Sequence, residues 1–194
     1  RSRVVTGVQN VCSSDLKPAL SSFEEKNGKK GMMVSAVDLL KGIAVGAGMG
    51  VAKVEGANGG LHTNYEGKVQ AALEALQSDY DFAYIHVEAP DEMGHQGSVE
   101  KKVKAIEYLD SRVIAPLTKA LDEANIEYRL LVMPDHPTPI RIRTHTADSI
   151  PYLLYDSTDL KAETYNYNEK EAAKTGTLVE QGYTLIDKLF EKNV

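Results

Sequence analysis

The sequence predicts an α/β domain with a mostly parallel sheet, and three observations support that fold class. Short apolar runs rich in aromatic and β-branched residues alternate with longer stretches that repeat with a helical period. Two of the apolar runs, residues 82–87 and 128–133, each end at a segment in which a proline precedes an aspartate. No proline- or glycine-rich linker divides the chain, so its elements should form one layered unit.

The first half of the chain predicts two strands and two helices. Residues 31–36 form the first predicted strand, and Asp38 is the expected N-cap of a helix over residues 39–44. That helix should end at the glycine-rich stretch that follows it. A short strand over residues 51–54 precedes a helix over residues 65–77. One face of this second helix carries Val69, Ala72, Leu73 and Leu76.

The second half predicts three strands and two helices. The strands cover residues 82–87, 128–133 and 150–155. The longest helix covers residues 99–124, and its apolar residues at helical spacing are Val103, Ile106, Leu109, Val113, Leu117 and Leu121. A last amphipathic helix covers residues 177–190, with a predicted packed face of Leu178, Tyr183, Ile186, Leu189 and Phe190.

Composition narrows the possible partners and the setting. A formal net charge of -6, with no basic stripe, argues against binding to nucleic acid. No apolar run reaches the roughly 20 residues of a membrane span. The single cysteine, Cys12, cannot form an internal disulfide, which makes a cytoplasmic setting the default. Residues 1–16 lose all periodicity, so they are either a native strand and loop or a foreign junction. The foreign junction is the favoured interpretation, and it leaves residues 17–194 as the domain.

Five side chains with metal-binding chemistry follow the two central strands. Asp91 and His95 follow the first strand, Asp135 and His136 follow the second, and His145 comes nine residues later. Sites in open α/β sheets form at this carboxyl edge. Mixed oxygen and nitrogen ligands suit Mn²⁺ or Zn²⁺. Each motif alone would be read as a turn or a helix cap. Five ligands together indicate two ions, or one ion in an open catalytic site.

Other polar residues near these motifs have simpler interpretations. Arg141 and Arg143 lie between ligand groups, where a guanidinium suits a phosphate or carboxylate, although solvated loop arginines are an equal alternative. Thr138 is flanked by two prolines and is expected only to shape the loop. His86 lies inside a predicted strand and is expected to be a packed, hydrogen-bonded residue.

Five stretches of the sequence resemble one enzyme family. They are SAVDLLKGI (35–43), TNYEGK (63–68), HVEAPDEMGH (86–95), PDHPTP (134–139) and RTHT (143–146). Together they resemble the archaeal-type, cofactor-independent phosphoglycerate mutases of the alkaline phosphatase superfamily. The motifs occur in the family's order, and the resemblance runs from about residue 21 to near the C-terminus.

The resemblance implies a layered alkaline-phosphatase-like domain with two divalent ions, Mn²⁺ or Zn²⁺, with Mg²⁺ or Co²⁺ as alternatives. By the matching motifs, Asp91, His95 and His145 would hold one ion, and Asp135 and His136 the other. A further metal-binding aspartate and the nucleophilic serine belong to an N-terminal part of the family. The sequence resembles only the C-terminal half, so the fold is expected to be incomplete.

The function implied by the resemblance is interconversion of 2-phosphoglycerate and 3-phosphoglycerate, a glycolytic isomerisation through a metal-activated phosphoserine. The implied partners are a phosphorylated glycerate and the missing N-terminal half, and the chain alone should be inactive. Two alternatives stay open. One is a metal-dependent phosphomonoesterase of the same superfamily, and the other is a metal-binding fragment without catalysis.

Overall fold

The computed structural model describes residues 20–159 and 166–190. The segment interpreted as a junction, residues 1–16, lies outside these ranges. In chain order the elements are α1 (Phe23–Asn27), β1 (Gly31–Val34), α2 (Asp38–Gly46), β2 (Gly50–Val51), α3 (Tyr65–Leu76), β3 (Phe82–Ile85), α4 (Ala89–His95), α5 (Val99–Leu109), a π-helical turn (Asp110–Ile114), α6 (Ala115–Glu123), β4 (Arg129–Val132), β5 (Leu153–Asp156), α7 (Glu169–Lys174), a 3₁₀ turn (Gly182–Thr184) and α8 (Leu185–Phe190). No helix in the described part of the chain is long and apolar enough to cross a membrane.

A parallel sheet with strand order β2-β1-β3 confirms the α/β prediction. Val34 is fully buried at the end of β1 and pairs in register with Ile85 of β3. The connections after β1 and β2 run through α2 and α3, as parallel strands require. Asp38 is the first residue of α2 and not its N-cap, which is Val37. The Asp38 carboxylate pairs instead with Lys41 at 2.9 Å.

The long predicted helix forms, but it is interrupted by the π-helical turn Asp110–Ile114. Val113 within this turn, and Leu117 and Leu121 beyond it, are buried against Tyr65, Val69 and Leu73 of α3. Before it, Val103 and Ile106 are about half exposed, which contradicts the single continuous stripe. One extra residue in a helical turn rotates the following side chains by about 100°. The segments before and after the turn therefore bury different faces. On α5 the buried residue is Ala105, which packs against α4.

Strands β4 and β5 form a separate antiparallel pair with Arg129 opposite Asp156. Within the described residues β3 pairs only with β1, and β4 pairs only with β5. Between the unpaired edges of β3 and β4 lies a groove of about 960 Å³, lined mainly by apolar side chains. Tyr84 of β3 and Met133 beyond β4 are exposed in this groove. We call it the β3–β4 groove.

The predicted C-terminal helix over residues 177–190 is mostly wrong. Only Leu185–Phe190 is α-helical, preceded by the 3₁₀ turn. Leu178 and Tyr183 are exposed, so they are not part of a packed face. Gly182 lies inside the predicted helix, at the start of the 3₁₀ turn, and glycine costs about 1 kcal/mol in a helix relative to alanine.

Candidate metal centre

Asp91 and His95 lie on the same face of α4, the short helix that follows β3. Pro90 stands in the first turn, where its missing N–H costs nothing. Four residues separate the aspartate from the histidine, so both project to the same side. The His95 Nε2 atom lies 3.3 Å from Asp91 Oδ2. The acidic residue near the N-terminus and the histidine at the C-terminus also suit the helix dipole.

The loop between β4 and β5 brings His136 and His145 onto this pair. His145 Nε2 lies 3.1 Å from His95 Nε2 and 3.5 Å from Asp91 Oδ1. The His136 ring stacks on the His145 ring, with centroids 3.7 Å apart. Ligand atoms of Asp91, His136 and His145 all lie within 4.8 Å of one another. Asp91, His136 and His145 therefore form one group of sequence-predicted ligands, and His95 adjoins it through its contacts with Asp91 and His145.

The fifth, Asp135, lies beside this cluster. Its Oδ1 accepts a hydrogen bond from the His136 backbone N–H at 3.0 Å, and its Oδ2 lies 3.5 Å from His136 Nε2. Asp135 also lines the β3–β4 groove, and its side chain is 67% exposed. The carboxylate therefore stands between the histidine cluster and the open edge of β4.

Thr138 has a role that the sequence interpretation missed. Its side chain is buried, and its hydroxyl donates a hydrogen bond to Asp91 Oδ1. The same oxygen lies 3.3 Å from His136 Nδ1. Because the hydroxyl hydrogen is given to the carboxylate, the oxygen can accept a hydrogen from Nδ1. That arrangement leaves His136 Nε2 free to bind a cation. The only sequence signal was a hydroxyl residue between ligand motifs.

The loop is held against the helices by close backbone packing. Lys102 of α5 donates from Nζ to the Thr138 carbonyl at 2.7 Å, and burial lowers the pKa of this lysine. A side chain at Gly94 would meet the same carbonyl at 2.6 Å, so glycine is needed at this contact. The loop ligands thus depend on tertiary contacts with α4 and α5.

A second polar cluster lies at the same edge of the parallel sheet. The Ser35 hydroxyl accepts from the Val37 N–H at 3.0 Å and lies 3.2 Å from His86 Nδ1. Lys68, almost completely buried, donates to the His86 carbonyl at 2.8 Å. Burial lowers the pKa of His86, which favours the neutral ring. His86 is therefore the packed, hydrogen-bonded residue that the sequence predicted.

The two arginines differ in their contacts. Arg141 is exposed on the loop. Arg143 has a left-handed backbone with φ of 56°, and its carbonyl lies 2.9 Å from His95 Nδ1. Its guanidinium lies so close to Gly97 that a side chain there would meet Nε at 2.4 Å.

The residues present fit a divalent cation. Imidazole nitrogens and a carboxylate converge from two separate elements, which is the donor set that Zn²⁺ or Mn²⁺ prefers. The side chains of Asp91 and the three histidines are between 30% and 51% exposed, so the centre is open to solvent on one side. Open sites of this kind are typical of catalytic ions.

A family model described as the metalloenzyme superfamily matches residues 12–192. The chain belongs to the metalloenzyme superfamily. Membership implies binding of divalent metal, which agrees with the cluster at the sheet edge.

Relatives within the metalloenzyme superfamily carry a more specific name. The chain is 48% identical over 176 residues to a protein of Geobacter sulfurreducens named "Probable 2,3-bisphosphoglycerate-independent phosphoglycerate mutase", covering 90% of this chain and 44% of that protein. It is 48% identical over 161 residues to the 2,3-bisphosphoglycerate-independent phosphoglycerate mutase of Methanosarcina acetivorans, covering 83% of this chain and 40% of that protein. The chain thus spans less than half the length of these relatives.

The fold is also similar to a solved structure, that of the PH0037 protein from Pyrococcus horikoshii. The TM-score is 0.76 at 28% sequence identity, and the match covers 90% of this chain and 53% of that one. This likeness confirms the α/β fold class, and the partial coverage agrees with an incomplete domain.

Proposed function

We propose that this chain is the metal-binding part of a cofactor-independent phosphoglycerate mutase, an isomerase that interconverts 2-phosphoglycerate and 3-phosphoglycerate. The observation that carries the proposal is the convergence of Asp91, His95, His136 and His145 at the sheet edge. Close relatives with the mutase name support it. The glycolytic role and the cytoplasmic setting are part of the same proposal.

The proposal assigns the ligands to two ions. Asp91, His95 and His145 would hold the first, since their ligand atoms lie 3.1–3.5 Å apart. Asp135 and His136 would contribute to the second, together with an aspartate from outside this chain. The stacking of His136 on His145 supports two adjacent ions more than two distant ones. Mn²⁺ and Zn²⁺ are the preferred candidates, with Mg²⁺ and Co²⁺ as alternatives.

The protein's own residues would orient the substrate and set protonation at the site. Arg141 and Arg143, on the loop that carries His145, are the proposed binding residues for the phosphate or carboxylate of phosphoglycerate. Thr138 keeps the Asp91 carboxylate and the His136 ring in place. When bound, the metal ions would lower the pKa of a coordinated hydroxyl and stabilise charge on the transferred phosphoryl group.

The β3–β4 groove is where we propose that the remainder of the enzyme joins. Both flanking strands have an edge that no described strand occupies, and the groove reaches the core residues Leu117 and Leu121. A strand in this space would pair with the free backbone N–H and C=O groups of both edge strands, and it would cover Tyr84 and Met133. A parallel strand there would end beside Asp135, which is where the second ion needs further ligands.

The decisive experiment is reconstitution. The chain alone should bind Mn²⁺ and show no conversion of 3-phosphoglycerate to 2-phosphoglycerate, measured without bisphosphoglycerate. Co-expression with the N-terminal half of a relative should restore conversion, and Asp135→Asn in the reconstituted enzyme should remove most of it. Robust turnover by the 194-residue chain alone would contradict the claim that the nucleophile lies elsewhere.

The same assays separate the alternatives. A phosphomonoesterase would release inorganic phosphate from phosphoglycerate without forming the other isomer. An inert fragment would bind metal and show neither reaction, even after reconstitution. The absence of nucleic-acid and membrane partners stays a prediction.

A further inference from the structure

We infer that the backbone carbonyl of Arg143 positions His95 for metal binding by fixing which of its ring nitrogens carries the hydrogen. The inference rests on the proposed metal function and assigns Arg143 a role separate from its side chain. A carbonyl oxygen can only accept, so the 2.9 Å contact to His95 Nδ1 requires a hydrogen on Nδ1. In a neutral imidazole this leaves the Nε2 lone pair free. Nε2 is the atom that faces His145 and Asp91.

The carbonyl reaches His95 because of an uncommon backbone conformation. Arg143 closes a tight turn in which its own N–H donates to the Pro139 carbonyl at 2.9 Å. It then adopts a φ of 56°, a left-handed value that few residues other than glycine and asparagine accept readily. Arg143 and Asn125 are the non-glycine residues with positive φ in the described chain, and Arg143 alone of the two adjoins the metal centre.

Gly97 makes this approach possible from the other side. It also has a left-handed backbone, with φ of 70°, and the Arg143 guanidinium occupies the space that a Cβ at this position would need. The loop can therefore sit on the end of α4, only two residues beyond His95. A partner that orients a metal-binding histidine typically changes metal affinity 10- to 100-fold when lost, by the general behaviour of such outer contacts.

Substitutions at position 143 can separate the effect of the backbone conformation on His95 from the effect of the arginine side chain. Valine strongly disfavours positive φ, whereas glycine and asparagine accept it. Arg143→Val should therefore move the carbonyl away from His95. Arg143→Gly and Arg143→Asn should keep the carbonyl in place, although all three variants lose the guanidinium. Arg141→Val is the matched control, because it makes the same change in the same loop at a residue without positive φ.

The test reads the His95 tautomer first, in the metal-free full chain, by long-range proton–nitrogen NMR. Wild-type His95 should carry its hydrogen on Nδ1, and so should the Arg143→Gly, Arg143→Asn and Arg141→Val proteins. Arg143→Val should lose this preference. Titration with Zn²⁺ should then show affinity about 10- to 100-fold weaker for Arg143→Val and within about threefold of wild type for Arg143→Gly and Arg143→Asn.

An Nε2–H tautomer in the wild-type protein would overturn the inference without any variant. Equal loss of Zn²⁺ affinity in Arg143→Gly and Arg143→Val would also overturn it, because the side chain would then be the important group. Failure of the proposed function looks different. In that case the tautomer would still follow the residue at position 143, but the wild-type chain would bind no Zn²⁺.

Discussion

The two elements that supply the proposed metal centre differ in how they bring their ligands together. Helix α4 carries Asp91 and His95 four residues apart, so their approach follows from the helical repeat alone. The loop between β4 and β5 carries His136 and His145 nine residues apart, with no regular structure between them. These histidines are brought together by long-range contacts. The helix therefore offers a locally formed pair of ligands, whereas the loop depends on its attachment to that helix.

Besides the contacts between the ligand atoms themselves, three hydrogen bonds attach the loop to the helices. The Thr138 hydroxyl bonds to Asp91, the Arg143 carbonyl to His95, and Lys102 to the Thr138 carbonyl. Substitutions should therefore reduce metal binding in two distinguishable ways. Loss of a helix ligand should remove binding directly, whereas loss of an attachment should weaken binding by freeing the loop.

The largest effect is expected for Asp91, where the two elements meet. Asp91→Asn removes the carboxylate that faces both His95 and His145 and accepts from Thr138. Its effect on Zn²⁺ affinity, measured by calorimetry, should exceed the roughly 10- to 100-fold loss typical of an outer contact. The control is Glu92→Gln on the next residue, and an equal loss in that variant would show that general charge, and not ligation, is measured.

A smaller effect is expected for the hydroxyl that joins loop to helix. Thr138→Val keeps the shape of the side chain but leaves the Asp91 and His136 contacts unmade. We expect Zn²⁺ affinity to fall about 10-fold and the free energy of unfolding to fall by about 1–3 kcal/mol. The exposed Thr144 provides the matched Thr→Val control. Unchanged affinity in Thr138→Val would mean that the loop ligands do not need this attachment.

Lys102 tests the attachment that lies farthest from the ligands. Lys102→Met keeps most of the apolar stem and removes the 2.7 Å bond to the Thr138 carbonyl. Urea unfolding should show a loss of about 0.5–1.5 kcal/mol, the usual net contribution of one hydrogen bond. Lys101→Met, at the exposed neighbouring position, should cost less. If the two variants are equally stable, the loop is held by its other contacts.

The strand pair that carries the loop should be sensitive to acid. Hydrogen bonds from Thr158, and then from Arg129, lower the pKa of Asp156 to about 2. A carboxyl group with a lowered folded-state pKa contributes stability above its ordinary value of 3.8, and that stability is lost as pH falls toward about 2. Near-ultraviolet circular dichroism of the tyrosines should therefore change over this range before α-helical signal is lost.

Asp156→Asn provides the comparison for this pH dependence. It should be less stable than wild type at neutral pH and should show a flatter decline in stability between pH 4 and pH 2, the interval bounded by the two Asp156 pKa values. Asp79→Asn, an exposed carboxylate on the turn before β3, should keep the wild-type slope. Identical slopes for wild type and Asp156→Asn would show that other groups control the acid response.

Much of the fold could be predicted because strand signals are local. The β1, β3 and β4 strands lie within the predicted apolar runs, and β5 overlaps its predicted run but ends one residue later. The alternation with helices indicated a parallel sheet. The errors arose where packing or backbone geometry outweighed periodicity. A π-helical turn divides the long helix into segments that bury different faces, and glycines limit the last helix to a short segment.

By itself the sequence predicted which residues form the proposed metal centre, because their ligand chemistry and their positions after the predicted strands can both be read from it. It also determined that Asp91 and His95 share a face, since that spacing spans one helical turn. Only the tertiary structure decided that His136 and His145 meet this pair, that Thr138 joins them, and that the Arg143 carbonyl faces His95. Such contacts join residues 47 to 50 positions apart, and neither their spacing nor their residue types indicate them. They depend on how the loop closes over α4.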